Sequence, residues 1–106
     1  MIADTIVAPA TPYGIGGIAV VRLSGSQAPI ITHKFLINNN LDVNFIPRHA
    51  TLVTLQDENV VAIDESLVTF FEAPNSYTGE DLIEISCHGS PIVVDKIIST
   101  CCHFGA

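Results

Sequence analysis

Leu82-Ile83-Glu84-Ile85-Ser86-Cys87 alternates without a break, and no other segment restricts the fold so tightly. Side chains along a strand point to opposite faces in turn, so Ile83, Ile85 and Cys87 share one side, and Leu82, Glu84 and Ser86 the other. Ile18-Ala19-Val20-Val21-Arg22-Leu23 is short and β-branched and reads as a second strand. Thr51 to Leu55 alternates as a third, Gln56-Asp57-Glu58-Asn59 turns the chain, and Val60 to Ile63 returns it as a hairpin. Leu67 to Phe71 is a further strand, and Thr5 to Ala10 is an apolar segment that leads into a Pro- and Gly-rich loop.

Two helices fit between these strands. Ser24-Gly25-Ser26 offers an N-cap, Pro29 falls in the first turn, and Ala28, Ile31 and Phe35 share one helical face. Ser90-Pro91 is an N-cap followed by an N1 proline, Val94, Ile97, Ile98 and Cys101 point inward, and Gly105 sits at a C-cap position. Asn38 to Asn44 reads as a surface loop. The sum is an α+β domain: a mostly antiparallel or mixed sheet of about five strands with two helices packed on it.

The 106 residues support one small core, so residues 1–106 are expected to form a single domain. Hydrophobic residues are 48% of the chain, which excludes a disordered tail. Only 4 Lys and Arg stand against 11 Asp and Glu, a net charge of −7, so tight nucleic-acid binding by this chain alone is not expected. Charged residues make up only 14%, which suggests that apolar surface is covered by another chain or domain. No apolar stretch reaches the length of about 18 residues that a membrane span needs. The first residues lack the positive charge of a secretory signal. Cys87, Cys101 and Cys102 are an odd count with two adjacent, which fits a reducing cytosol better than a disulfide framework.

Gly14-Ile15-Gly16-Gly17-Ile18-Ala19 matches G-x-G-x-x-A but leads into a strand, where a dinucleotide fingerprint must open a helix. Its glycines read instead as a tight loop with close backbone approach. No P-loop pattern occurs. Cys87-His88 and Cys101-Cys102-His103 lack the spacing that converges two thiolates on zinc. Neighbours on a strand face opposite ways, so Cys87 and His88 make a poor nucleophile–base pair. Glu80 and Asp81 read as a solvated strand start. Glu84 inside its strand and Arg22 at the end of its own are either an ordinary surface pair or a site.

Longer blocks carry a resemblance. Asp4-Thr5-Ile6-Val7-Ala8-Pro9-Ala10-Thr11-Pro12-Tyr13-Gly14-Ile15-Gly16-Gly17-Ile18-Ala19-Val20-Val21-Arg22-Leu23-Ser24-Gly25, then Pro47-Arg48-His49-Ala50, then Pro74-Asn75-Ser76-Tyr77-Thr78-Gly79-Glu80-Asp81 and Cys87-His88-Gly89-Ser90-Pro91, resemble the opening of the bacterial tRNA-modification GTPases of the MnmE/TrmE family. The resemblance covers nearly the whole chain but only that family's N-terminal domain. It implies a fold like that of folate-binding aminomethyltransferases, homodimerisation, and binding of a one-carbon tetrahydrofolate of the 5-formyl type. It implies helical and GTPase domains beyond this chain, the latter holding GTP, magnesium and potassium. It also implies a cytoplasmic protein that works with the MnmG flavoprotein on the tRNA wobble uridine, with tRNA held by other domains or the partner.

By position, the family's folate-contacting residues fall on Arg22 and Glu84. A carboxylate accepts the ring N–H and amino group of a pterin as a pair, and a guanidinium offers planar donors to a carbonyl or carboxylate. The chain departs from the family's pattern at Tyr13 and Ile15 and at Ser86-Cys87-His88-Gly89-Ser90. No catalytic residue and no metal ligand is expected here. Two alternatives stay open: an assembly module that binds no ligand, and an aminomethyltransferase-like folate enzyme. If a further strand of the sheet lies beyond Ala106, this segment alone leaves a sheet edge unpaired.

Overall fold

The computed structural model describes residues 4–11, 16–36 and 46–106. In chain order the elements are β1 (Ile6–Pro9), β2 (Ile18–Ser24), α1 (Ala28–Lys34), β3 (Thr51–Gln56), β4 (Ala62–Phe71), β5 (Leu82–His88) and α2 (Pro91–His103). The strands form one sheet in the order β1-β2-β5-β4-β3, antiparallel at every pairing. The expected α+β class and strand number hold, and the described sheet has no parallel pairing.

Both helices cover the same face. Val21, Leu23, Val68, Ile83 and Ile85 of the sheet are fully buried against Ile31, Phe35, Val94, Ile97 and Cys101. Each such aliphatic side chain contributes about 1.5–3 kcal/mol of burial, which is what fixes the helices to this side. Helix α1 brings Ala28, Ile31 and Phe35 inward as its spacing predicts. In α2, Ile98 is only half-buried, and Thr100 takes the inward place three residues after Ile97. Its hydroxyl donates to the Lys96 carbonyl at 2.8 Å, so burial leaves no unpaired group.

The caps differ from expectation at one end and match at the other. The N-cap of α1 is Gln27, three residues after Ser24, with no side-chain cap bond. Its backbone N–H donates to Thr5 Oγ1 at 3.1 Å, tying the start of the chain to the helix. Gly25 at φ +138 is required there, because a Cβ would lie 2.5 Å from Thr5 Oγ1. Ser90 caps α2 by backbone geometry alone. After α2, Gly105 at φ +116 donates to the Cys102 carbonyl and Ala106 to the Cys101 carbonyl, a Schellman ending.

The return strand of the β3–β4 hairpin corrects the sequence reading. Val60 to Ile63 and Leu67 to Phe71 are not separate strands; β4 runs unbroken from Ala62 to Phe71. The polar Asp64-Glu65-Ser66 looks like a break in the sequence, yet Ser66 is buried and its hydroxyl donates to Asp64 Oδ2 at 2.7 Å. A buried polar group with its partner supplied does not interrupt a strand. The loop Asn38 to Asn44 lies outside the described residues.

The hairpin turn rests on Asp57. Its Oδ1 accepts the N–H groups of Asn59 at 2.9 Å and Val61 at 3.0 Å, and its Oδ2 lies 3.4 Å from Lys96 Nζ of α2. Between those bonds Val60 sits at φ +63, a left-handed conformation that a β-branched residue rarely adopts. Val60→Asn, at this exposed position, is expected to stabilise the fold by about 1 kcal/mol, since Asn tolerates the left-handed region. Urea denaturation of the two proteins checks it; an unchanged or lower midpoint counts against a left-handed Val60.

Candidate functional site

The β2–β5 ladder decides which outward side chains meet. Its register sets Val21 against Ile85 and Leu23 against Ile83 on the core face, so Arg22 stands directly opposite Glu84 on the face the helices leave open. Arg22 Nε donates to Glu84 Oε1 at 2.9 Å. The side chains are 36% and 27% exposed, so the pair is neither sealed in the core nor free in water. Ala8 of β1 flanks Arg22 and Thr69 of β4 flanks Glu84 in the same row. Both are small.

The pair is a single contact, not a two-point clamp. Among the described residues, the two Nη groups of Arg22 and Oε2 of Glu84 form no hydrogen bond. A half-exposed contact of this kind adds at most about 1 kcal/mol to stability. What it offers is chemistry: planar donors beside a carboxylate acceptor, held by two adjacent strands. The two residues singled out from the sequence are therefore brought together, side by side.

A loop over residues 72–81 roofs one end of this face. Ser24 Oγ and Thr78 Oγ1 share a hydrogen bond of 2.8 Å, and Ser24 Oγ lies 3.2 Å from Glu80 Oε2. Asp81 Oδ1 accepts the Ala73 N–H at 2.9 Å, and its carbonyl accepts the Gly25 N–H at 2.8 Å. Glu80 and Asp81, which read as a solvated strand start, thus anchor the loop. Leu82, beside Ser24 in register, is buried although it lies on the open face. From this loop the Tyr77 ring reaches Arg22, with Cζ 4.8 Å from the ring centroid. Such a contact at an exposed site contributes about 0.5–1 kcal/mol. Nothing in the alternation of Leu82 to Cys87 points to Tyr77, because its place depends on how the loop folds back.

The other end of the face is open and apolar. A depression of about 200 Å³ is lined by Ile18, Leu52, Leu67, Glu65, Ser86 and His88, among others. Ile18, Leu52 and Leu67 are all exposed there. At its rim the buried carboxylate of Asp64 accepts the His88 backbone N–H at 3.1 Å and contacts the His88 ring at 2.7 Å. Burial pushes the Asp64 carboxyl up, but the bonds from Ser66 and from the His88 backbone and ring outweigh it and hold the carboxyl below its ordinary value.

Cys87 and Cys101 are buried, and Cys102 is exposed. Cys87 is buried on the core face with Sγ 3.5 Å from the Ala19 carbonyl, away from the outward His88. Burial, and then the Asp64 charge, raise its thiol pKa. Burial, with Cys102 beside it, pushes Cys101 up to about 12. Thiols held protonated are poor nucleophiles and poor metal ligands. Among the described residues no group of three or more His, Cys, Asp or Glu is placed to hold a metal ion. The glycine loop also needs a correction. A Cβ on Gly16 or Gly17 would meet nothing, whereas one on Gly89 would lie 2.2 Å from the Gly16 carbonyl oxygen. The close approach is real, but Gly89 is the residue that permits it. Tyr13 and Ile15 lie outside the described residues.

The fold is a five-stranded antiparallel sheet with both helices on one face and the Arg22–Glu84 pair on the other. Comparison with known proteins makes this specific. The family model described as GTP-binding protein TrmE N-terminus matches residues 5–106. The chain is 48% identical over 103 residues to a tRNA modification GTPase MnmE of Francisella philomiragia, covering 97% of this chain and 22% of that protein. It is 45% identical over 106 residues to the Legionella pneumophila (strain Paris) protein of the same name, covering 100% and 23%. With that of Fervidobacterium nodosum it is 43% identical over 104 residues, covering 97% and 23%. The chain belongs to the TrmE N-terminal family, and it spans less than a quarter of the length of the curated relatives it matches.

The clamp at the rim has a pH signature. Asp64 has a lowered carboxyl pKa in the fold, so the stability it supplies is complete above its ordinary value of 3.8 and is lost as pH falls through the lower folded value. The urea midpoint of the wild type is expected to fall more steeply than that of Asp64→Asn as pH drops from about 5 to about 2. Parallel curves for the two proteins would show that the clamp contributes no such linkage.

Proposed function

We infer that this chain serves as the folate-binding and dimerising N-terminal domain of a tRNA modification GTPase, and that a one-carbon tetrahydrofolate of the 5-formyl type binds at Arg22 and Glu84. The observation that carries the reading is the single contact between them. It leaves Oε2 of Glu84 as an acceptor and the Nη groups of Arg22 as donors among the described residues. That donor set fits a pterin, whose ring N–H and amino group match a carboxylate edge, and whose carbonyl or glutamyl carboxylate suits a guanidinium. A site built this way discriminates against ligands without those donors, because they leave the carboxylate unpaired. When bound, the folate supplies the one-carbon unit; Arg22 and Glu84 bind and orient it.

The exposed Ile18, Leu52 and Leu67 on the same face support a second copy of the chain as its cover. Hydrolysis of GTP with magnesium and potassium belongs to other segments of the full-length protein. So does tRNA binding, consistent with the charge of −7 here. The MnmG flavoprotein is the proposed partner in modifying the wobble uridine, in the cytoplasm. Among the described residues no helix is long and apolar enough to cross a membrane.

Isothermal titration of 5-formyltetrahydrofolate into the full-length protein tests the site. Glu84→Ala is expected to weaken binding by about tenfold or more, as for loss of a charge-assisted pair. Equal affinity in wild type and variant removes Glu84 from the site. The apolar row alone favours a second reading, an assembly module without ligand. Sedimentation of wild type and Leu52→Glu, with and without folate, separates the two. A dimer lost in the variant and indifferent to folate, with no heat of binding, supports assembly only.

A further inference from the structure

The chain has 4 Lys and Arg, and three of them are engaged. Arg22 pairs with Glu84, Lys96 pairs with Asp57, and Lys34 lies over Phe104 with Nζ 5.9 Å from the ring centroid. Arg48 is exposed, and among the described residues its guanidinium meets no partner. Its backbone is nevertheless fixed. Arg48 sits at φ +67, uncommon for a residue other than glycine. Its N–H donates to the Phe70 carbonyl at 2.8 Å, and the His49 N–H closes a turn on the Ile46 carbonyl at 3.1 Å. Backbone outliers of this kind cluster at functional positions. A matching anion lies further back along β4. Glu65 is exposed and also unpaired among the described residues, and it lines the apolar depression with Ile18, Leu52, Leu67 and His88. The His88 ring is an acceptor there as well: the Asp64 carboxylate takes its Nδ1–H, so Nε2 of the neutral ring accepts. A depression with an apolar floor and acceptors at its rim suits a long apolar stem that ends in a cation.

We propose that Arg48 of a second copy completes this depression: two chains pack face to face, the stem of Arg48 lies on Leu52 and Leu67 of the other copy, and its guanidinium pairs with Glu65 there. This rests on the reading above that a second copy covers the apolar row, and it adds the residues that set the register of that contact. One chain cannot make the pair. Phe70, to which Arg48 is bonded, stands five residues from Glu65 along β4, about 17 Å at the rise of a strand. A two-fold axis lying across the strands above Leu52 and Leu67, which are opposite each other in register, reverses the strand direction. It carries Arg48 of one copy to the level of Glu65 in the other, because Leu67 stands near the midpoint between Glu65 and Phe70. Packed sheets lie about 10 Å apart, a gap that an arginine and a glutamate span together. Such a contact is self-complementary, so one pair implies two. The two pairs also answer a difficulty that apolar contact alone leaves in place, the mutual repulsion of two chains that each carry −7.

The test is sedimentation equilibrium of the full-length protein as wild type, Arg48→Glu, Glu65→Arg, the double variant with both changes, and Leu52→Glu. Each single reversal turns two attractive pairs into two like-charge pairs and is expected to weaken the dimer by about tenfold or more. The double variant restores opposite charges and is expected to return to within about threefold of wild type. This rescue separates pairing from damage to the fold, since a second charge change does not repair a misfolded single variant. Single variants that dimerise like wild type, with the dimer lost in Leu52→Glu, overturn the Arg48–Glu65 pair and leave the second copy standing. A double variant as weak as the two single losses combined also overturns the pair. A monomeric wild type, or a Leu52→Glu dimer as tight as wild type, overturns the second-copy cover itself and this inference with it.

Discussion

The ladder between β2 and β5 is the constraint on which the rest depends. It pairs residues from Ile18 with His88 to Ser24 with Leu82 without a slip. A shift of β2 by one residue against β5 would turn Val21 and Leu23 toward water and Arg22 toward the helices, away from Glu84. Burying that charge without its partner would cost several kcal/mol. The same hydrophobic preference that closes the core therefore also places the charged pair on the opposite face. Core and site are two consequences of one register.

Because both helices lie on one side, the described residues cover the sheet's second face only in part. Its two ends are treated differently. The loop over residues 72–81 folds back on Ser24 and buries one end, down to Leu82. The other end stays apolar and open, with Ile18, Leu52 and Leu67 exposed beside the Asp64–His88 clamp. Arg22 and Glu84 sit between roof and opening.

Much of this was legible beforehand. Strict alternation at Leu82 to Cys87 identified the core face and the outward Glu84, and both held. The inward faces of α1 and α2 followed from apolar spacing, apart from Thr100, whose hydroxyl finds a carbonyl on its own helix. The polar Asp64-Glu65-Ser66 concealed the continuity of β4, because hydrogen bonds formed only in the fold remove the cost of burying Asp64 and Ser66. The N-cap of α1 was misplaced for a similar reason: its first N–H is satisfied by Thr5, far away in the chain.

By itself the sequence determined the class of fold, the two faces of β5, the family and Arg22 and Glu84 as a candidate pair. These are readable because they depend on local periodicity and on residues kept in order along the chain. Only the tertiary structure decided that the two charges touch at a single point, that Gly89 is the glycine the glycine-rich loop needs, and that Tyr77 reaches over Arg22. Those facts arise where segments distant in sequence are brought together by burial, and no local pattern encodes the distance between them.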